Sequence, residues 1–101
     1  IRASERAALL APQSALALYN LGYVYSRARH GEKAIRAFQK SLALNPDSGE
    51  ARLRLAALYL EKNDREGALR EYAALKTTDA ALAERLFRAI FKNRTLTAGF
   101  K

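Results

Sequence analysis

The chain matches itself at a period of 34 residues, and this restricts its fold more than any other feature. Under that shift Pro12 meets Pro46, Ala17 meets Ala51, Leu21 meets Leu55, Tyr25 meets Tyr59, Ala34 meets Ala68 and Phe38 meets Tyr72. Gly22 meets Ala56, so a small residue is kept where two helix axes would approach closely. Nearly everything that recurs is apolar, small or helix-breaking, which speaks of packing; a catalytic constellation needs converging polar groups instead. A period of this length marks stacked supersecondary units. Each has more apolar face than it can bury alone, so the core runs continuously along the stack.

The units are helical. Alanine and leucine dominate, β-branched residues are sparse and only two prolines occur, so strong helix formers fill almost every window and no strand run competes. Punctuation falls at Pro12, His30-Gly31, Asn45 to Gly49, Lys62 to Gly67 and Thr77 to Asp79. Between these marks apolar residues recur at three and four, as in Leu18, Leu21 and Tyr25, or Ala34, Ile35, Phe38 and Leu42. The pattern predicts helices over 2–11, 14–28, 31–44, 48–62, 65–76 and 79–92, with Ser14, Ser48 and Asp79 as N-caps. The tail, "NRTLTAGFK", has no clear period and is expected to fray or to fold back through Leu96 and Phe100.

A chain of 101 residues with 50% hydrophobic content suits one compact domain. Cysteine and methionine are absent, which excludes a disulfide framework, a thiolate metal site and a cysteine nucleophile. His30 is the only histidine and falls in a helix-to-helix turn. With no second histidine and no glycine-rich phosphate loop, neither a nucleophile and base pair nor a metal site assembles, so the chain reads as a non-enzyme without cofactor or metal. The start at Ile1 and the missing methionine suggest a piece of a longer polypeptide. No window reaches the ~18 to 20 apolar residues of a membrane span. The opening residues do not form a signal peptide either, so a soluble protein is expected, cytoplasmic or periplasmic.

The formal net charge is +8, which suits an acidic partner, an anionic surface or nucleic acid, or simply a solvated basic face. Many charges are spaced as helical pairs, Glu32 with Arg36, Glu50 with Arg54, Glu61 with Arg65 and Glu66 with Arg70. Beyond Glu84 the chain is only basic. There Arg85, Arg88 and Lys92 share one helical side and form a candidate electrostatic patch for phosphates, although cations late in a helix also complement its dipole.

Leu18, Leu21-Gly22, Tyr25, Ala34, Phe38 and Pro46 together resemble the tetratricopeptide repeat, a 34-residue helix-turn-helix unit. The resemblance implies an all-α superhelix of antiparallel hairpins. Residues 15–48 form a full copy, with Leu18 where the family often has tryptophan. Residues 49–78 form a second, with Arg52 at the tryptophan position and Ala80 where a proline would fall. Residues 1–14 look like the second helix of a preceding copy, with Ala7 and Pro12 in phase, 79–92 like a capping helix with Leu82, Leu86, Phe87 and Ile90 as its apolar face, and 93–101 a tail. Gly22, Ala34, Tyr25, Phe38 and Pro46 are then structural.

The resemblance further implies a protein-interaction scaffold whose concave face is lined by the first helix of each repeat. In this chain those positions are Leu16, Tyr19, Asn20, Tyr23, Ser26 and Arg27, then Glu50, Leu53, Arg54, Ala57, Leu60 and Glu61. Tyr19 and Tyr23, one turn apart, offer amphipathic contact to a peptide or partner helix, or else pad their own neighbours. Some members grip a C-terminal carboxylate with lysine, asparagine and arginine from successive repeats. Asn20 and Arg54 match two such positions, but Glu50 stands where lysine belongs, so that clamp is incomplete. Two other readings stand beside the groove: nucleic-acid or acidic-partner binding through the basic last helix, which the sequence favours less, and homo-oligomerisation through open solenoid ends.

Overall fold

The computed structural model describes the backbone of residues 1–99 and the side chains of residues 1–91. Six helices follow one another: α1 (Arg2–Leu10), α2 (Ala15–Arg27), α3 (Gly31–Leu44), α4 (Gly49–Glu61), α5 (Arg65–Thr78) and α6 (Ala80–Gly99). Among the described residues there is no strand. The predicted boundaries agree to within two residues except at α6, which runs through most of the expected tail. Thr95 and Ala98 do not break a helix, and Gly99 is the first residue that favours ending one. Lys101 and Phe100 lie outside the described residues, as do the side chains of Lys92 and Leu96.

The starts are set by local chemistry. Ser14 Oγ accepts from the Ala17 amide at 3.1 Å, Ser48 Oγ from Ala51 at 3.3 Å, and Asp79 Oδ1 from Leu82 at 3.1 Å. Asp64 caps α5 in the same way, accepting from Gly67 at 2.9 Å. The turns inside both hairpins are copies of each other. After α2 the His30 amide donates to the Tyr25 carbonyl and the Arg29 amide to Ser26; after α4 Asp64 donates to Tyr59 and Asn63 to Leu60. This is the double closure that ends a helix through one left-handed residue. Those residues are Arg29, with φ 67°, and Asn63, with φ 62°, again 34 positions apart.

The apolar residues at the repeat positions form two linked clusters. Ala34, Phe38, Ala51 and Leu55 lie at the heart of the first, which joins α2 and α3 to α4. Ala56, Ala68, Leu75, Leu86 and Ile90 make the second, which joins α4 and α5 to α6. Gly22 lies directly under Phe38: a Cβ there would sit 2.9 Å from ring carbons Cδ1 and Cε1. Only with hydrogen at that position can α2 and α3 approach so closely. On α6 the buried stripe is Ala83, Leu86 and Ile90, whereas Phe87 is 44% exposed and stacks on Tyr72 and Phe91. Small Ala83 meets the α4–α5 hairpin, which turns the expected face by part of a turn. On α1 the residue that is buried is Ala8, and Ala7 is exposed.

Polar bonds lock successive units. Tyr25 Oη donates to Glu5 Oε2 at 2.5 Å, and Gln39 Nε2 donates to Tyr59 Oη at 3.1 Å. Both partners of the first bond map onto the second under the 34-residue shift, so α1 meets α2 in the register with which α3 meets α4. Burial and the acceptor carboxylate hold the Tyr25 phenol above its ordinary pKa, the hydrogen bond to Glu5 contributing most. Ser41, a buried hydroxyl, donates to the Ala15 carbonyl at 2.7 Å. The chain is elongated, 50 × 29 × 17 Å, with a radius of gyration of 14.3 Å. A globule of this length would have ~13 Å.

Candidate functional site

The first helices of the two repeats, α2 and α4, each keep a partly exposed face. Helical spacing puts Leu16, Tyr19, Asn20, Tyr23 and Arg27 on one side of α2, and Glu50, Leu53, Arg54, Ala57 and Leu60 on the matching side of α4. The structure joins four of these into one cluster. Arg54 Nε donates to Tyr19 Oη at 2.6 Å, and its guanidinium lies over the Tyr23 ring, 4.8 Å from the centroid. Arg27 Nη1 reaches Tyr23 Oη at 3.3 Å. Tyr19 in turn meets Phe38 edge-on with centroids 5.6 Å apart, so one side of it belongs to the core and its hydroxyl to the groove.

Around this cluster lie two shallow clefts that share Glu50. One, of about 290 Å³, is lined by Leu16, Tyr19, Asn45 and Ser48 among others. The other, of about 330 Å³, is lined by Leu53, Arg54, Ala57 and Leu60 of α4 with Arg85, Leu86 and Ala89 of α6. The strip thus gathers Leu16, Tyr19, Leu53, Arg54, Ala57 and Leu60 as expected. Asn20 is exposed beside it and lines neither cleft.

The expected basic patch divides. Arg88 Nη2 pairs with Glu84 at 2.8 Å, which offsets its charge locally, while Arg85 turns into the α4–α6 cleft; the Lys92 side chain lies outside the described residues. Two of the helical charge pairs find other partners. Glu32 bonds Lys62 across the repeat boundary instead of Arg36, and Arg54 bonds Tyr19 instead of Glu50. The Lys62 contact pulls the Glu32 carboxyl below its usual range and lifts the ammonium above its own.

Sequence reasoning noted Arg52 but missed its partners. At the position where the family often carries tryptophan, its Nη1 pairs with Glu71 at 3.0 Å and its Nη2 donates to the Pro46 carbonyl at 3.1 Å. It also missed a groove of about 660 Å³ between α1, α2 and α3, lined by Leu9, Leu18, Leu21, Tyr25, Ala43 and Leu44 together with Glu5 and Lys40. Of its lining, Leu9 is about four-fifths exposed. Among the described residues no cluster of His, Asp or Glu could hold a metal ion, and no helix is long and apolar enough to cross a membrane.

Two-helix units in one register, joined through equivalent tyrosines, define a solenoid of helical hairpins. Residues 15–48 match the family model of the tetratricopeptide repeat, and the described residues fold as an all-α helical repeat. Solved structures share the fold: the crystal structure of MamA is similar with a TM-score of 0.76 over 97% of this chain and 68% of that one, at 19% identity. Comparison with curated proteins gives no match.

Proposed function

We propose that this chain is a protein-interaction scaffold that binds a peptide or a partner helix on the concave face of its repeats and performs no covalent chemistry. The observation that carries this reading is the Tyr19–Arg54–Tyr23 cluster. Two aromatic rings from one repeat and a guanidinium from the next are held together at the middle of the strip, flanked by Leu16 on one side and by Leu53, Ala57 and Leu60 on the other. Tyrosine and arginine in a fixed geometry supply large contact area at small entropic cost, which is how interface anchors work. The groove between α1, α2 and α3 is larger but offers only an apolar lining with one carboxylate and one ammonium.

The test is a pull-down with the chain and with Tyr23→Ala and Arg54→Glu variants, washed at low and at high salt. A partner retained at high salt by the parent and lost by both variants, with helicity unchanged by circular dichroism, supports the groove. Equal retention by both variants sinks the site. Recovery of nucleic acid alone, lost at high salt and indifferent to both variants, places the function on α6 instead.

A further inference from the structure

The repeat supplies its own comparison for the groove between α1, α2 and α3. One repeat on, Leu18, Ala43 and Leu44 are replaced in phase by Arg52, Thr77 and Thr78. There Arg52 is bonded to Glu71 and to the Pro46 carbonyl, and both threonines donate to the Ala74 carbonyl. The later surface is thus dressed for water. The earlier one is not: Leu18 and Leu21 form its floor, and Leu9 and Leu44 stand at its rim, 81% and 39% exposed. Leu10, next to Leu9 on α1, is 80% exposed. Large apolar side chains gathered on one face mark a contact surface.

A neighbouring repeat does not supply the cover. Ser41 of α3 turns to its own first helix and bonds the Ala15 carbonyl, and Ala7 of α1 is in phase with Ser41. The side of α1 that belongs to a first helix is therefore that of Ala7. Glu5 and Leu9 lie one turn apart, each two residues from Ala7, and so occupy the opposite side.

We infer that this face is covered by a second copy of the chain, related to the first by a two-fold axis. Two observations select a copy over another partner. The face carries both shapes that a self-complementary contact needs, projecting leucines and a groove of about 660 Å³ to receive them. Its charges complement themselves as well. The lining holds one carboxylate, Glu5 on α1, and one ammonium, Lys40 on α3, and among the described residues these two form no ion pair with each other. Glu5 accepts from Tyr25 through Oε2 and keeps Oε1. Across the two-fold axis Glu5 of each copy meets Lys40 of the other. A net charge of +8 repels two copies in most orientations, whereas this lining is apolar and without net charge. The groove shares no lining residue with the clefts around Tyr19 and Arg54, so the dimer presents two binding strips and a partner with two docking segments gains avidity.

The experiment is sedimentation equilibrium of the intact chain and of three variants over a wide range of concentration, with circular dichroism to check that each variant keeps its helicity. The parent is expected to pass from monomer to dimer and no further. Leu9→Ser should raise the dimer dissociation constant about a hundredfold or more, because a two-fold contact loses the leucine twice. Lys40→Glu and Glu5→Lys each set like charges opposite one another and should be monomeric alone. Mixed in equal amounts they should dimerise again, since every acid then faces a base. A parent that stays monomeric throughout would overturn the inference and give the groove to a different occupant. A dimer that withstands Leu9→Ser and both reversals would overturn it by placing the contact elsewhere, and a mass that keeps growing beyond two copies would replace the two-fold axis by end-to-end stacking. Failure of the mixture to recover would overturn the pairing of Glu5 with Lys40 and the two-fold axis with it.

Discussion

Adding a single methyl at Gly22 should cost stability even though alanine is the better helix former. Placed on α2, the new Cβ lies 2.9 Å from two ring carbons of Phe38. That ring is fully buried and cannot retreat, because Tyr19 meets it edge-on. Overpacking of this kind costs about 1–3 kcal/mol. A ring held on both sides belongs in the upper half of that range, about 2–3 kcal/mol. Exchanging glycine for alanine within a helix returns about 1 kcal/mol. The net expectation for Gly22→Ala is a loss of about 1–2 kcal/mol, and for a chain of this length that lowers the urea midpoint by roughly 1 M. Urea unfolding followed by circular dichroism measures it. Phe38→Leu should interact with the substitution, so that the double variant loses less than the two single losses added together. The same methyl is native at Ala56, where the ring in phase, Tyr72, is only half-buried and has room to shift. An increase in midpoint for Gly22→Ala would show that helix propensity outweighs the contact and would refute the close approach.

Four further outcomes are expected. Arg52→Leu leaves Glu71, whose side chain is 13% exposed, without its partner and should cost about 1–3 kcal/mol, whereas Arg52→Leu with Glu71→Ala should recover most of the loss, since Leu18 and Ala37 already fill the equivalent positions one repeat earlier. Arg29→Gly should raise stability by about 1 kcal/mol because Arg29 holds a left-handed φ of 67°, and Asn63→Gly should gain less, since asparagine tolerates that conformation better; thermal melts compare the two. Because the Tyr25 phenol is raised, its contribution is fully present below the ordinary tyrosine value of 10.0 and is lost as pH climbs through the higher folded value, so the 295 nm difference titration between the parent and Tyr25→Phe should have its midpoint above 10.0. The Glu32 carboxyl is lowered by Lys62, so its contribution is present above the ordinary glutamate value and fades as pH falls through the lower folded one; in an NMR titration Lys62→Met should move the Glu32 midpoint upward.

The fold was legible because its determinants recur. A small residue three positions before tyrosine, at Gly22 and Ala56, and alanine four before an aromatic ring, at Ala34 and Ala68, recur at one spacing, and every predicted helix but the last ends near its predicted limit. What escaped was either conformational or pairwise. Arg29 gives no sign of a left-handed backbone, although Asn63 at the equivalent place is a residue type that favours it. Arg52 resembles any surface arginine until Glu71, nineteen positions on, is brought beside it by the hairpin. Within the groove, helical spacing made Tyr19 and Tyr23 legible as neighbours, whereas the Arg54 contact with both was not, since it depends on how α4 packs against α2. The position of Arg85 was not, since α6 begins out of phase with the repeat and only its packing against α4 decides which arginine enters the cleft.

Site-directed photo-crosslinking compares the two faces under identical conditions. One copy of the chain carries a benzophenone amino acid at Ala57, in the cleft between α4 and α6, and another carries it at Ala43, in the groove between α1, α2 and α3; both are expressed in the cells from which the sequence comes and irradiated there. The concave reading predicts a discrete crosslinked protein from Ala57 that disappears when Tyr23→Ala is added, and from Ala43 nothing but a second copy of the chain. The same product from Ala43 alone, indifferent to Tyr23→Ala, would contradict it and move the binding face to that groove.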